Sequence, residues 1–145
     1  MATSNPTPWD FSNEDENLLS LDGHHRLAYS ELSEIAMGGP MGGKCFLIYP
    51  DNSKLKVSDW AGGPAVWETN GRRVALPVWT MRRDQRLAVA DLDARTLTIY
   101  SQKFRVLNLK AFNQGIIEGQ DSPIHLTTTI QFATASEPVE RVEQF

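Results

Sequence analysis

Three segments of this chain follow one pattern: Arg26-Leu27-Ala28-Tyr29-Ser30-Glu31, Lys54-Leu55-Lys56-Val57-Ser58-Asp59 and Arg86-Leu87-Ala88-Val89-Ala90-Asp91. Each reads basic, Leu, any residue, β-former, small, acidic, and the copies begin at residues 26, 54 and 86. Apolar and polar positions alternate within each copy, and the acid at its end suits a turn, which is the pattern of an antiparallel strand. A strand that restarts in this way predicts a meander of hairpins. Residues 54–80 and 86–112 also align without a gap, keeping Leu55/Leu87, Val57/Val89, Asp59/Asp91, Arg73/Arg105 and Val74/Val106. Any two meanders of this composition could align as well. A closed propeller needs at least about four blades of roughly 40 residues, more than this chain of 145 residues holds.

From Lys44 onward, β-rich runs alternate with turn signals about every ten residues, the spacing of a sandwich or barrel rather than of strand-helix-strand units. Strands are predicted at 44–49, 54–59, 64–68, 73–80, 86–92, 95–100, 103–109 and 124–132. The connections Pro50-Asp51-Asn52-Ser53, Asn70-Gly71, Arg82-Arg83-Asp84, Asp93-Ala94, Asn113-Gln114-Gly115 and Asp121-Ser122-Pro123 all carry turn-forming residues. Asp22-Gly23 predicts an earlier hairpin with a type I′ turn. Pro77 cannot donate a ladder hydrogen bond, so its strand should run along an edge or carry a bulge. Ser30 to Ala36, capped by Ser30 and stopped by Gly38-Gly39-Pro40, predicts one short helix. The expected fold is therefore mainly β: an antiparallel β-sandwich or partly open barrel of eight to ten strands, built from hairpins and meanders, with one short helix near 30–36.

The expected organisation is a partly ordered N-terminal tail over 1–16, a single antiparallel β domain over 17–132, and a C-terminal tail over 133–145. Trp9 and Phe11 would dock the first tail back onto the domain. Val139, Val142 and Phe145 at helical spacing predict a short docked helix in the last.

Hydrophobic residues make up 41% of the chain, enough for one ordinary core at this length. The net charge of -4 opposes tight binding to a phosphate backbone, which depends on releasing counterions with Lys and Arg, so nucleic acid is not expected as a partner. Cys45 is the only cysteine, which rules out an intramolecular disulfide and suits a reducing compartment. The first residues show neither a basic nor an apolar leader region, and no apolar run approaches the ~20 residues of a membrane helix. A cytoplasmic protein without membrane association is expected.

Motifs with chemical meaning are few. Gly38 to Lys44 has the spacing of a phosphate loop, but Cys45 stands where a magnesium-binding hydroxyl belongs, and a strand follows where a helix should. His24 and His25 would point to opposite faces of a strand, and only His125 and Asp22 could join either in holding a metal. No nucleophile elbow is present, Cys45 sits in an apolar run, and the scattered aspartates are explained by turns. No catalytic residue, metal ligand or cofactor is assigned.

Trp60, Trp67 and Trp79 lie within about twenty residues, close to Arg72, Arg73, Arg82 and Arg83. If Val74, Leu76 and Val78 face the core, Trp79 shares the opposite, outer face with Arg73 and Pro77. Trp and Arg dominate binding hot spots. The expected partner-binding set is therefore Trp67, Trp79, Arg73, Arg82 and Arg83, on a non-catalytic cytoplasmic interaction module of the adaptor or inhibitor kind. The alternatives are a small-molecule or carbohydrate binding β-barrel and, third, a hydrolase whose site is not visible in sequence. The strand edge near Pro77 also allows a homodimer.

Overall fold

The computed structural model describes residues 6–122 and 129–145. After a single 3-10 turn at Glu16–Leu18 come β1 (Arg26–Glu34), β2 (Met41–Ile48), β3 (Lys54–Ala61), β4 (Val66–Trp67), β5 (Arg73–Trp79) and β6 (Gln85–Asp91). Then follow β7 (Thr96–Phe104), β8 (Leu107–Asn113), β9 (Ile116–Asp121), β10 (Ile130–Ala133) and β11 (Val139–Gln144). All pairings are antiparallel. The first sheet runs β1-β2-β3-β5-β6-β7-β11, with β4 beside β5, and the second runs β10-β9-β8. The mainly β, antiparallel, unclosed architecture is the one expected, with eleven strands among the described residues rather than eight to ten.

β5 and β6 form the centre, because their alternate residues serve two cores. Val74, Leu76, Val78, Ala88 and Ala90 face a core completed by Leu27, Tyr29, Cys45, Leu47 and Val57, over which β1 to β3 curl. Ala75, Leu87 and Val89 face the opposite way, against Leu107, Leu109, Phe112, Ile117 and Phe132 of the second sheet. A strand buried on both faces needs a near-continuous apolar run, which Val74-Ala75-Leu76-Pro77-Val78 supplies. Burying one side chain such as Leu76 stabilises the fold by about 1.5–3 kcal/mol.

Pro77 fits because β5 has an interrupted neighbour. β3 meets β5 only at Ala61 and Val78, and β4 joins at Val66 and Ala75. The Pro77 carbonyl points into that break, where it accepts from the Gly62 amide at 2.9 Å. The missing amide proton therefore falls where no partner strand needs it. At the sheet's β1 edge, the Asn13 carboxamide both accepts from the Tyr29 amide and donates to the Tyr29 carbonyl, at 2.7 Å each. It satisfies the strand edge as a neighbouring strand would. Phe11 is buried in the first core.

Several local expectations are corrected. Residues 30–36 form no helix: β1 continues to Glu34, pairing Ser30 with Lys44 and Ser33 with Gly42. So short a helix cannot offset its own nucleation cost, whereas the hairpin has a partner strand, and a Cβ on Gly43 would lie 2.6 Å from the Ser30 carbonyl. The C-terminal tail is not helical either, since Val139–Gln144 pairs with β7. At Asp22-Gly23 the chain does turn, closed by the Ser20 amide on the His25 carbonyl at 2.8 Å. Only Gly23 has positive φ there, so the turn is not type I′. Gln114 and Gly115 both have positive φ and do form such a turn, leading into β9, a strand the sequence pattern had not revealed. Of the strand predicted at 124–132, only Ile130 to Phe132 fall in a described strand; residues 123–128, His125 among them, lie outside the described residues. The three repeated segments lie in β1, β3 and β6, an edge strand, an interrupted neighbour and a central strand, so they share a strand pattern without occupying equivalent places.

Candidate functional site

The structure separates the five residues singled out in the sequence into two groups. Trp67 is 7% exposed, and its indole N–H donates to the Leu18 carbonyl at 3.0 Å. It joins the first core, and its edge lines an apolar groove beside Leu19, Leu21 and Phe112. Arg73 is committed internally. Its guanidinium donates twice to the Glu68 carboxylate, Nε to Oε1 and Nη2 to Oε2, both at 2.8 Å, and lies 5.2 Å from the centre of the Phe112 ring. Glu68, 3% exposed, also accepts from the Gly115 amide at 2.9 Å. This cluster ties β4 and β5 to the β8–β9 turn, and the Arg73 guanidinium holds the Glu68 carboxyl below the usual carboxylate range. The outer face expected for Trp79 and Arg73 is covered as well: Phe112 and the Gly115 turn lie against Arg73, while Trp79, 7% exposed, packs on Gly42 and Trp60.

Arg82 and Arg83 are exposed at the tip of the β5–β6 hairpin, beside Met81 at 94% exposure. The tip is shaped by Thr80, whose amide donates to the Asp84 carbonyl at 2.9 Å and whose hydroxyl bonds the Asp84 carboxylate, with Arg83 at positive φ. Register places Lys103 opposite Arg86, and Arg105 follows two residues later, so four cations share this end of the molecule. None of the four has an ion-pair partner among the described residues. The β1–β2 turn reaches the same end: the Met41 carbonyl accepts from the Trp79 indole at 3.2 Å, and Met37 at that turn is fully exposed.

Beside this tip opens a groove of about 420 Å³ that the sequence did not disclose. Val78 and Ile99 form its floor, Ser58, Asp59 and Trp60 one wall, and Glu140, Arg141 and Glu143 the other, with Trp79 and Arg86 between them. Trp60 and Trp79 are 6.0 Å apart, ring centre to ring centre. They fit only because residue 42 is glycine, whose Cβ would come within 2.8 Å of the Trp60 indole nitrogen. Arg86 reaches across β7, its Nη1 lying 3.3 Å from Glu140 Oε1, while its buried Nε has no hydrogen-bond partner.

Each side of the groove lies beside a break in strand register. Between β2 and β3 the register shifts twice, Phe46 pairing with Lys56, Cys45 with Ser58 and Gly43 with Ala61, so Ser58 joins the face of Cys45 although Lys54 and Lys56 point out. Between β6 and β7, Arg86 pairs with Lys103 but Ala88 with Ile99. Between β7 and β11, Val139 pairs with Tyr100 and Arg141 with Ile99, leaving Glu140 as the extra residue. Bulges of this kind re-aim side chains. Their signature in sequence was faint: valines three apart in a strand.

Asp59 pairs with Lys56 at 2.6 Å, which lowers its pKa, and Glu143 pairs with Arg141 at 2.8 Å. Cys45 is buried behind the groove, and burial pushes its thiol up to about 12, far from a reactive thiolate. Among the described residues no three His, Cys, Asp or Glu side chains converge as a metal site, and no helix is long and apolar enough to cross a membrane. Compared with protein-family models, curated proteins and solved structures, the chain matches none of them.

Proposed function

We propose that this protein is a non-catalytic interaction module that docks an acidic partner protein on the end bearing Met81, Arg82 and Arg83. The observation that carries this is the unpaired cationic tip, Arg82 and Arg83 with Lys103 and Arg105 behind them, on a chain whose net charge is -4. Such a charge separation orients an approaching acidic surface and accelerates encounter. Met81 and Met37 add adaptable apolar contact of the kind that interfaces favour. Arg82 and Arg83 keep their place in the expected contact set. Trp67 and Arg73 leave it, because both are occupied inside the fold, and Trp79 serves as support for the tip. The single buried thiol fits a reducing, cytoplasmic setting.

The test is capture from native lysate with wild type, an Arg82→Glu/Arg83→Glu variant and a Lys110→Glu control. One protein held by wild type and by the control should fall by about tenfold or more with the double reversal, and should be released as salt rises. Equal capture by all three contradicts this assignment. If size-exclusion chromatography shows wild type associating with itself and the reversal dissolving the association, the partner is a second copy.

A further inference from the structure

We propose that the groove between β3 and β11 binds a neutral, polyhydroxylated ligand of the saccharide class. This inference is independent of the partner assigned to the cationic tip.

Three observations converge on it. First, Trp60 is half-buried in the groove wall and braced by Trp79, the arrangement of a fixed aromatic platform. The C–H face of a sugar ring stacks on such a platform, whose apolar body needs no polar match. Second, the walls present groups of both signs. Asp59, Glu140 and Glu143 accept hydrogen bonds, while Arg86 and Arg141 donate them. A hydroxyl donates and accepts at once, so a ring of hydroxyls can use both sets. Lys56, Arg86 and Arg141 balance Asp59, Glu140 and Glu143, so the walls carry no net charge and favour a ligand that carries none either. Third, Arg86 Nε is buried without a partner, a donor aimed at nothing in the protein. Leaving such a group unsatisfied is costly, and a small shift of the Arg86 side chain would bring it to a ligand hydroxyl oxygen in the groove. The volume of about 420 Å³ falls within the range of small-ligand sites.

The experiment uses the intact, ¹⁵N-labelled protein and follows its four tryptophan indole signals. The probes are neutral tetrasaccharides of glucose, galactose, mannose, xylose and N-acetylglucosamine, with a sulfated and a uronic tetrasaccharide for comparison. At least one neutral probe should shift the Trp60 indole saturably and leave Trp67 unmoved, and the anionic probes should bind more weakly. Trp60→Ala should lower the affinity about tenfold or more, Trp60→Phe should recover part of it, and Arg86→Gln should weaken it. The Arg82→Glu/Arg83→Glu variant should bind the saccharide as wild type does, which separates this site from the partner contact. No shift of Trp60 with any neutral probe would overturn the proposal, as would tighter binding of the anionic probes or unchanged affinity in Trp60→Ala. The wild-type titration decides the matter even if a variant fails to fold.

Discussion

Trp67 and Trp60 stand on consecutive strands that both pair with β5, and are used in opposite ways. At Trp67 the indole and the charges beside it are spent inside the fold: the indole bonds Leu18, and next to it Glu68 is shared between Arg73 and the Gly115 amide. Around Trp60 the register breaks in three pairs of strands, charged side chains line a groove, and Arg86 Nε remains unpartnered. Regular pairing with satisfied polar groups maximises stability, and departures from it cost stability. The β4–β5 side is therefore the molecule's lock, and the β3–β11 side is where the fold accepts irregularity in order to present side chains.

That contrast predicts a graded response to substitution. Trp67→Ala should be the most damaging, at about 3–5 kcal/mol, because it empties a core position and strands the Leu18 carbonyl. Denaturant unfolding with an unchanged slope checks it. Glu68→Gln should come next, at about 2–3 kcal/mol, since it leaves the Arg73 guanidinium without its counter-charge. Its pH dependence sharpens the case. The Glu68 pKa is depressed in the folded state, so its contribution is fully present above the unfolded carboxylate value of about 4.3 and is lost as pH falls through the lower folded value. Stability of the wild type should therefore fall more steeply in acid than that of Glu68→Gln, and parallel acid profiles would remove Glu68 from the lock. Trp60→Ala should have the smallest effect, within about 1 kcal/mol, because its ring is only half-buried.

How much of this was legible in the sequence follows from which rule governs each residue. Pro77 signalled a defect in ladder pairing, and the structure has one there, between β3 and β4. The double burial of β5 and β6 follows from apolar runs that do not alternate. Residues 30–36 misled because a Ser cap and a Gly-Gly stop are local signals, while the strand that formed was decided by Gly42 and Gly43, more than ten residues on from Ser30. The groove was hidden for one physical reason. Period-two reading from Lys54 misses the shift that brings Ser58 onto the face of Cys45, and a helical reading of Val139 and Val142 ignores that one extra strand residue gives the same three-residue spacing. A bulge changes which face a side chain occupies without changing composition. The lock was half visible: Arg73 was noticed for its charge, but Glu68, its partner, carries no motif.

The most direct measurement compares thermal unfolding of Trp67→Ala and Trp60→Ala in the same buffer. Trp67→Ala should lower the midpoint by on the order of 10 °C, and Trp60→Ala by no more than about 3 °C. Equal losses in the two variants would mean that Trp60 is a structural residue like Trp67, and the division between lock and groove would not stand.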